Sequence, residues 1–81
     1  MKASKIQNNF KSKNNRLAML INAAMFVRNL SAEDVAPVLG LSRQSVYKYL
    51  RDPGRLSVKK LMQLCHFLDI PIDDIRNAID L

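Results

Sequence analysis

The stretch from residue 31 to residue 51 reads SAEDVAPVLGLSRQSVYKYLR and contains two short helical patterns. The patterns cover about residues 32–39 and 43–51, and Gly40-Leu41-Ser42 connects them. A connection of three residues forces the two helices to cross steeply. The rest of the chain has to pack around this crossing.

Local signals mark the ends of both helices. Ser31 is a suitable N-cap for the first helix, and Gly40 ends it because glycine tolerates the left-handed conformation of a tight exit. Ser42 is the N-cap of the second helix, which the turn sequence Asp52-Pro53-Gly54 stops.

The crossing also places demands on the side chains. It needs a small residue where the helices touch, which Ala36 provides, and a glycine in the turn, which is Gly40. Apolar residues must point into a shared core, and those at the required spacing are Val35, Leu39, Leu41, Val46 and either Tyr49 or Leu50. All of these demands are met.

Upstream, residues 17–27 read LAMLINAAMFV, an apolar run that only Asn22 interrupts. A membrane span needs about 20 apolar residues, so this run is too short. Removal of a signal peptide here would leave about fifty residues, too few for most domains. We interpret the run as a core helix, whose inward stripe contains Ile6, Phe10, Leu17, Leu20, Ile21 and Ala24.

The start of this first helix is open to two interpretations. A cap at Ser12 or Asn14 starts it late, whereas a capping-box pattern at Ser4 starts it at about residue 5. Residues 1–13 are accordingly either a basic N-terminal arm or a helix extension, and residues 14–81 are the folded domain.

Downstream, the pattern predicts two more helices. Ser57 caps a fourth helix over about 58–68, and after the break at Pro71 a fifth covers about 73–79. The residues expected to be buried are Val58, Leu61, Met62, Leu64, Cys65 and Leu68 in the fourth helix, and Ile75 and Ile79 in the fifth. No segment alternates with period two. We therefore predict an all-α, compact five-helix fold.

Composition limits the class of protein. Eighty-one residues support one hydrophobic core, and a single cysteine excludes an internal disulfide and fits a reducing cytoplasm. The formal net charge is +6, yet residues 1–30 carry six bases and no acid, whereas residues 61–81 carry one base and four acids. Because the N-terminal part of the sequence is basic and the C-terminal part is acidic, we expect one face of the protein to bind a polyanion such as nucleic acid.

The spacing of Ala36, Gly40 and Val46 resembles the helix-turn-helix of the phage Cro and repressor family. In that pattern a glycine follows the alanine by four residues and a branched aliphatic residue follows six later. The similarity continues through LSVKKLMQLCHFLDIPIDDI at residues 56–75 and covers roughly residues 15–79. It implies a lambda repressor-like DNA-binding domain in which helices 2 and 3 form the helix-turn-helix.

Three positions depart from the family pattern. Leu50 stands where many relatives have Glu, and Leu56 where many have Pro. Pro37 lies inside helix 2, where a proline costs about 3 kcal/mol unless the helix is kinked or begins late. These departures concern local geometry rather than the fold.

The resemblance implies which residues meet DNA, because the third helix of the family enters the major groove. The implied base contacts are Arg43, Gln44, Tyr47 and Lys48. Arginine suits guanine, glutamine suits adenine, and tyrosine can touch a thymine methyl group. Backbone N–H groups at the starts of helices 2 and 4 suit phosphate. The expected phosphate contacts are Ala32, Ser42, Ser45, Arg51, Arg55, Val58, Lys59 and Lys60.

Catalysis is not expected. Cys65 and His66 diverge by about 100° on a helix, and there is no second cysteine or histidine to complete a metal or nucleophile site. We expect no enzyme activity, no cofactor and no metal. Cys65 is predicted to fill the core.

The predicted function is sequence-specific binding of double-stranded DNA by a Cro-like transcriptional repressor in the cytoplasm of a bacterial or phage-infected cell. A module of this size buries about 600–1,000 Å² on DNA, which favours a homodimer on a palindromic operator with half-sites about one helical turn apart. The alternative is a protein-interaction module on the same scaffold, similar to an antirepressor or antitoxin.

A second apolar stripe on helix 1 bears on this choice. Met19 and Phe26 lie about 160–180° from Leu17 on a helical wheel. Either the N-terminal segment folds back over them through Ile6 or Phe10, or they form a self-association or partner surface. The candidate residues for a dimer or partner surface are Met19, Phe26, Ile75, Ile79 and Leu81.

Overall fold

A computed structural model describes the backbone of residues 2–79 and the side chains of residues 14–78. Its elements are α1 (Lys2–Val27), α2 (Ala32–Leu39), α3 (Arg43–Arg51), a 3₁₀ turn (Pro53–Arg55), α4 (Val58–Phe67) and α5 (Ile72–Ile79). No strand occurs in residues 2–79. The prediction of an all-α fold with five helices is confirmed. Leu81 and the side chains of Ile6, Phe10 and Ile79 lie outside the described residues.

The connection between α2 and α3 is built from backbone hydrogen bonds around Gly40. Gly40 has φ 65°, and its N–H donates to the carbonyl of Pro37 at 3.3 Å. The N–H of Leu41 donates to the carbonyl of Ala36 at 3.0 Å. These two bonds form a Schellman motif, which satisfies carbonyls that the end of a helix would otherwise leave unpaired.

The exits of α1 and α4 use the same motif without glycine. Asn29 has φ 55° and Asp69 has φ 56°. Beside them, the N–H of Leu30 donates to Met25 and that of Ile70 donates to Cys65, both at 2.9 Å. Asparagine and aspartate visit the left-handed region more readily than most residues, which explains why these ends lack a glycine signal.

Pro37 does not break α2. A proline cannot donate the bond that would go to the carbonyl of Glu33, four residues back. Both Glu33 and Pro37 are exposed, so water can satisfy that carbonyl. The helix keeps its predicted bounds because the lost bond lies on its solvent side.

One core joins the five helices. The residues that are almost completely buried include Ile21 of α1, Val35 of α2 and Val46 of α3, together with Leu64 and Leu68. Leu41, Tyr49 and Leu50 pack against this core while partly exposed. Leu17 and Ile21 confirm the inward stripe of α1, with Leu20 and Ala24 at its margin.

Several expectations about burial are wrong. Ile75 is only 6% exposed and belongs to the core, as expected for the fifth helix, so it is not available to the dimer or partner surface for which it was also a candidate. Val58 and Met62, expected in the core, are 77% and 41% exposed. They lie on the outer side of α4, which buries Leu64 and Cys65 instead. Met25, which the inward stripe omitted, is buried.

The first helix is longer than either interpretation of its start. α1 begins at Lys2, and no proline or glycine precedes Pro37 to interrupt it. Because Lys2–Val27 is one continuous helix, its N-terminal segment does not fold back over Met19 and Phe26. These two side chains are 71% and 86% exposed.

Polar side chains of α1 hold the end of α3 and the turn after it. The side-chain amide of Asn14 donates to a carboxylate oxygen of Asp52 at 2.6 Å and accepts from the N–H of Gly54 at 2.9 Å. The amide of Asn22 donates to the carbonyls of Ala18 and Leu50, at 2.7 and 3.2 Å. Asn22 therefore interrupts the apolar run because it binds a carbonyl of α3.

Gly40→Ala is expected to lower the free energy of unfolding by about 1 kcal/mol, because a side chain at φ 65° strains the backbone. Apart from Gly40 and its two neighbours in the chain, no residue comes within 4 Å of the added Cβ, so a steric clash with the rest of the protein does not contribute. Urea denaturation measures the change. The control Gln63→Ala, on the exposed side of α4, should stay within about 0.5 kcal/mol. Equal effects of the two substitutions would contradict this account.

Asn14→Ala is expected to cost about 1–2 kcal/mol, because it removes two hydrogen bonds, one to the carboxylate of Asp52 and one from the N–H of Gly54, at a site that water can partly reach. The neighbouring Asn15→Ala changes an exposed residue of the same type and should have little effect. Thermal and urea unfolding of both variants test the difference. If Asn14→Ala unfolds at the urea concentration of Asn15→Ala, the contact does not hold the turn.

Candidate nucleic-acid interface

The outer face of α3 carries exposed polar side chains. Val46 is the buried residue of this helix and points toward the core. The four residues expected to contact bases, Arg43, Gln44, Tyr47 and Lys48, are all exposed. The side chain of Ser42 accepts from the N–H of Ser45 at 3.2 Å and caps the helix start. The structure thus brings the four side chains together on the exposed side of one capped helix.

Arg43 has a partner that the sequence did not indicate. Its guanidinium donates to the carboxylate of Glu33 on α2 at 2.7 Å. The side chains are 55% and 68% exposed, so water screens the pair and its contribution to stability is small. Its effect is geometric, because it links the first turn of α2 to the first turn of α3.

The two helix starts proposed for phosphate differ in charge. At the start of α2, Ala32 is buried and the first turn carries Glu33 and Asp34. The carboxylate of Asp34 already accepts from the N–H of Ser31 at 2.7 Å. This end of α2 is poorly suited to an anion, because two carboxylates stand where phosphate would bind.

The start of α4 is better suited. Its first turn contains no acid, and Val58 and Lys59 are exposed there. The hydroxyl of Ser57 accepts from the N–H of Lys60 at 3.2 Å, whereas the N–H groups of Val58 and Lys59 have no partner within the helix. Of the two helix starts, α4 has the electrostatics that favour phosphate.

Lys60 has a structural contact that sequence reasoning missed. It is partly buried, and its ammonium donates to the carbonyl of Leu39 at 2.7 Å. A cation at the C-terminus of a helix also interacts favourably with the helix dipole. Lys60 therefore ties α4 to the end of α2, whereas Lys59 stays exposed.

A small pocket joins α3 to the 3₁₀ turn. Ser45, Lys48, Tyr49 and Arg55 line a volume of about 120 Å³. Arg55 is held there by Asp52, whose carboxylate accepts from Nε at 3.0 Å. Two cations and two hydroxyl-bearing side chains suit an anion such as a phosphate. Tyr49 was one of two alternatives for the core, against which it packs, and its place in this pocket had no local sequence signal.

The remaining expected contacts have simpler surroundings. Arg51 is exposed in the last turn of α3, where its charge favours the helix dipole. The hydroxyl of Ser42 already makes two hydrogen bonds, because it caps α3 and also donates to the hydroxyl of Ser45 at 3.0 Å. Ser42 is consequently less available to phosphate than Ser45.

Two observations concern metal-ligating and nucleophilic side chains. No group of three or more metal-ligating side chains occurs among the described residues. Cys65 is buried, and burial raises the pKa of its thiol, which disfavours the nucleophilic thiolate. Within the described part of the chain, no helix is long and apolar enough to cross a membrane.

Comparison with known proteins agrees with this geometry. A model of the family described as "Helix-turn-helix" matches residues 28–75, more than half of the chain. Neither the curated proteins nor the solved structures give a significant match. The chain belongs to the Cro and repressor-type helix-turn-helix family. This is a family of non-enzymatic DNA-binding domains, so the protein is a DNA-binding transcription regulator.

Lys59 and Lys60 are adjacent but should behave differently when each is replaced by methionine. Lys60→Met is expected to lower the free energy of unfolding by about 1 kcal/mol, because the carbonyl of Leu39 loses its donor. Lys59→Met should leave stability unchanged and weaken binding to all DNA sequences alike. A plot of the logarithm of the DNA-binding constant against the logarithm of the salt concentration should become less steep, with its slope smaller in magnitude by about 1. Urea unfolding and DNA titration at several salt concentrations separate the two. The assignment is reversed if Lys59→Met is the destabilised variant.

Proposed function

We propose that the protein is a Cro-like repressor that binds a palindromic operator as a homodimer. The observation that carries this proposal is the capped α3, which buries Val46 and leaves Arg43, Gln44, Tyr47 and Lys48 exposed together. In a helix-turn-helix this face enters the major groove. Such a repressor acts in the cytoplasm, on the DNA of a bacterial or phage-infected cell.

The four side chains have different roles in this proposal. Arg43 makes a bidentate contact with guanine and Gln44 with adenine, since their donors and acceptors match those base edges. Lys48 and Tyr47 lie about one turn further along α3 and meet bases or the flanking phosphates. The link from Glu33 to Arg43 supports the proposal because it restricts the guanidinium before DNA arrives.

Backbone binding supplies affinity rather than sequence choice. The start of α4 with Lys59 takes one phosphate, and the pocket of Ser45, Tyr49 and Arg55 takes another. Arg51, exposed in the last turn of α3, adds positive charge. The start of α2 contributes less, because Glu33 and Asp34 stand there.

Dimer formation follows from the size of the module. One copy contacts bases through a single helix of nine residues, α3. A contact surface this small gives limited sequence specificity on its own. Two copies on half-sites about 34 Å apart double the sequence that is read.

A second candidate is a protein-interaction module, favoured by the exposure of Met19 and Phe26 on α1. In that case the helix-turn-helix serves as a scaffold and the main partner is a protein. A DNA-binding experiment distinguishes the two candidate functions, because only a repressor prefers one DNA sequence over others at physiological salt concentration.

Selection from random double-stranded DNA, followed by Gln44→Ala, tests the proposal. The wild type should enrich one palindromic sequence. Gln44→Ala should weaken the preference for one base at one position in each half-site and lower the binding free energy to the selected sequence by about 1–3 kcal/mol per half-site. The dependence of DNA affinity on salt concentration should not change. Gln63→Ala alters the same residue type on the exposed side of α4 and should bind as the wild type does. Failure to enrich any sequence at 150 mM salt would refute operator binding.

A further inference from the structure

The surface where α1 packs beside α5 is not used by the proposed DNA contacts. Two adjoining grooves of about 450 and 250 Å³ run along it and share Leu20 and Asp74 in their walls. Leu20, Ala23 and Ala24 provide apolar walls from α1, and Ala78 does so from α5. The helix pair therefore forms one long, shallow, mainly apolar channel, called here the α1/α5 groove.

Large apolar side chains stand at the edge of this groove. Met19 and Val27 line it and are 71% and 77% exposed, and Phe26 beside them is 86% exposed. Burying such side chains gains about 1.5–3 kcal/mol each. The same surface thus carries both a groove and the apolar side chains that could fill a matching groove. That combination is what a self-complementary contact requires.

Charges on the two sides of the α1/α5 groove have opposite signs. Arg16 on α1 and Arg28 directly after its end line it on one side, and Asp74 on α5 and Asp69 in the turn between α4 and α5 line it on the other. None of the four forms a salt bridge with another side chain in residues 14–78. A basic row and an acidic row therefore run along the groove, each without an ionic partner among the described side chains.

We propose that the α1/α5 groove binds a second copy of the chain, with α1 of each copy against α5 of the other. This inference rests on the proposed homodimer and specifies its interface. A two-fold axis along the groove places the basic row of one copy opposite the acidic row of its partner. An axis across the groove would instead place α1 against α1 and α5 against α5, so that like charges would meet. Charge complementarity selects the first arrangement.

Charge reversal on the two sides tests this arrangement. Arg16→Asp should meet Asp74 of an identical partner, and Asp74→Arg should meet Arg16, so each variant alone carries two repulsive contacts. We expect each to dissociate about 10-fold or more readily than the wild type, measured by sedimentation over a concentration series. An equal mixture of the two variants should recover the dimer, because both contacts in the mixed pair join opposite charges.

Arg76→Asp and Asp73→Arg are the matched controls, since both residues are exposed on α5 and neither lines the groove. They should dimerise as the wild type does. A wild type that stays monomeric overturns the proposal and leaves the groove to a different partner. Reversal variants that still dimerise alone, or a mixture that stays monomeric, also overturn it.

Binding to a single half-site separates this proposal from the proposed function. Asp74→Arg should still prefer the selected half-site over scrambled DNA, because it leaves α3 untouched. Retained preference with an unchanged dimer means that the interface assignment is wrong and operator binding stands. If the wild type selects no sequence, operator binding fails, whatever the sedimentation result. Circular dichroism confirms that each variant is folded.

Discussion

The structure depends on the turn at Gly40-Leu41-Ser42, which ends one helix and starts the next within three residues. Gly40 takes φ 65°, so that Leu41 can return its N–H to the carbonyl of Ala36. Ser42 then caps α3 through its hydroxyl. Since the turn has no spare residue, the angle between α2 and α3 is fixed by backbone geometry. The side of α3 that faces outward is fixed with it.

Helices of eight or nine residues are not stable alone in water, so tertiary contacts must hold them. α2 is held by burial, since Ala32, Val35, Ala36 and Leu39 all lie in the core. α3 fully buries only Val46 and relies more on its cap and on Asn22, which binds the carbonyl of Leu50. Because polar contacts attach both ends of α3, its outer side is left exposed along its length and can contact the bases.

Much of this fold could be predicted from the sequence because its signals are local. Ser31, Gly40, Ser42 and Ser57 mark helix ends by chemistry that involves residues three or four positions away. Contacts between distant segments carry no such signal. Asn14 reaches Asp52 across 38 positions, and Lys60 reaches Leu39 across 21. Periodicity therefore gave the helices of the fold but not the polar contacts that align them.

The errors at the candidate site have the same origin. A helical pattern shows that Ile75 is apolar, but only the position of α1 decides whether this residue faces the core or a partner. Tyr49 likewise has one side against the core and another in the pocket of Arg55. The exposed candidates on α3 were easier, because one buried position, Val46, fixes the orientation of all the others on the same helix.

The distribution of charge connects the two proposed surfaces. The net charge of +6 attracts DNA, and it would also make two copies repel each other if it were spread evenly. Acidic residues are concentrated instead near α5, where Asp74 lines the groove together with Arg16 and Arg28, and Asp69 lines it together with Arg28. In a dimer formed through this groove, the acidic side chains of each copy face the basic side chains of the other. The α3 helices of both copies keep the positive charge around them. Salt would weaken both contacts, but the apolar part of the groove would be affected much less.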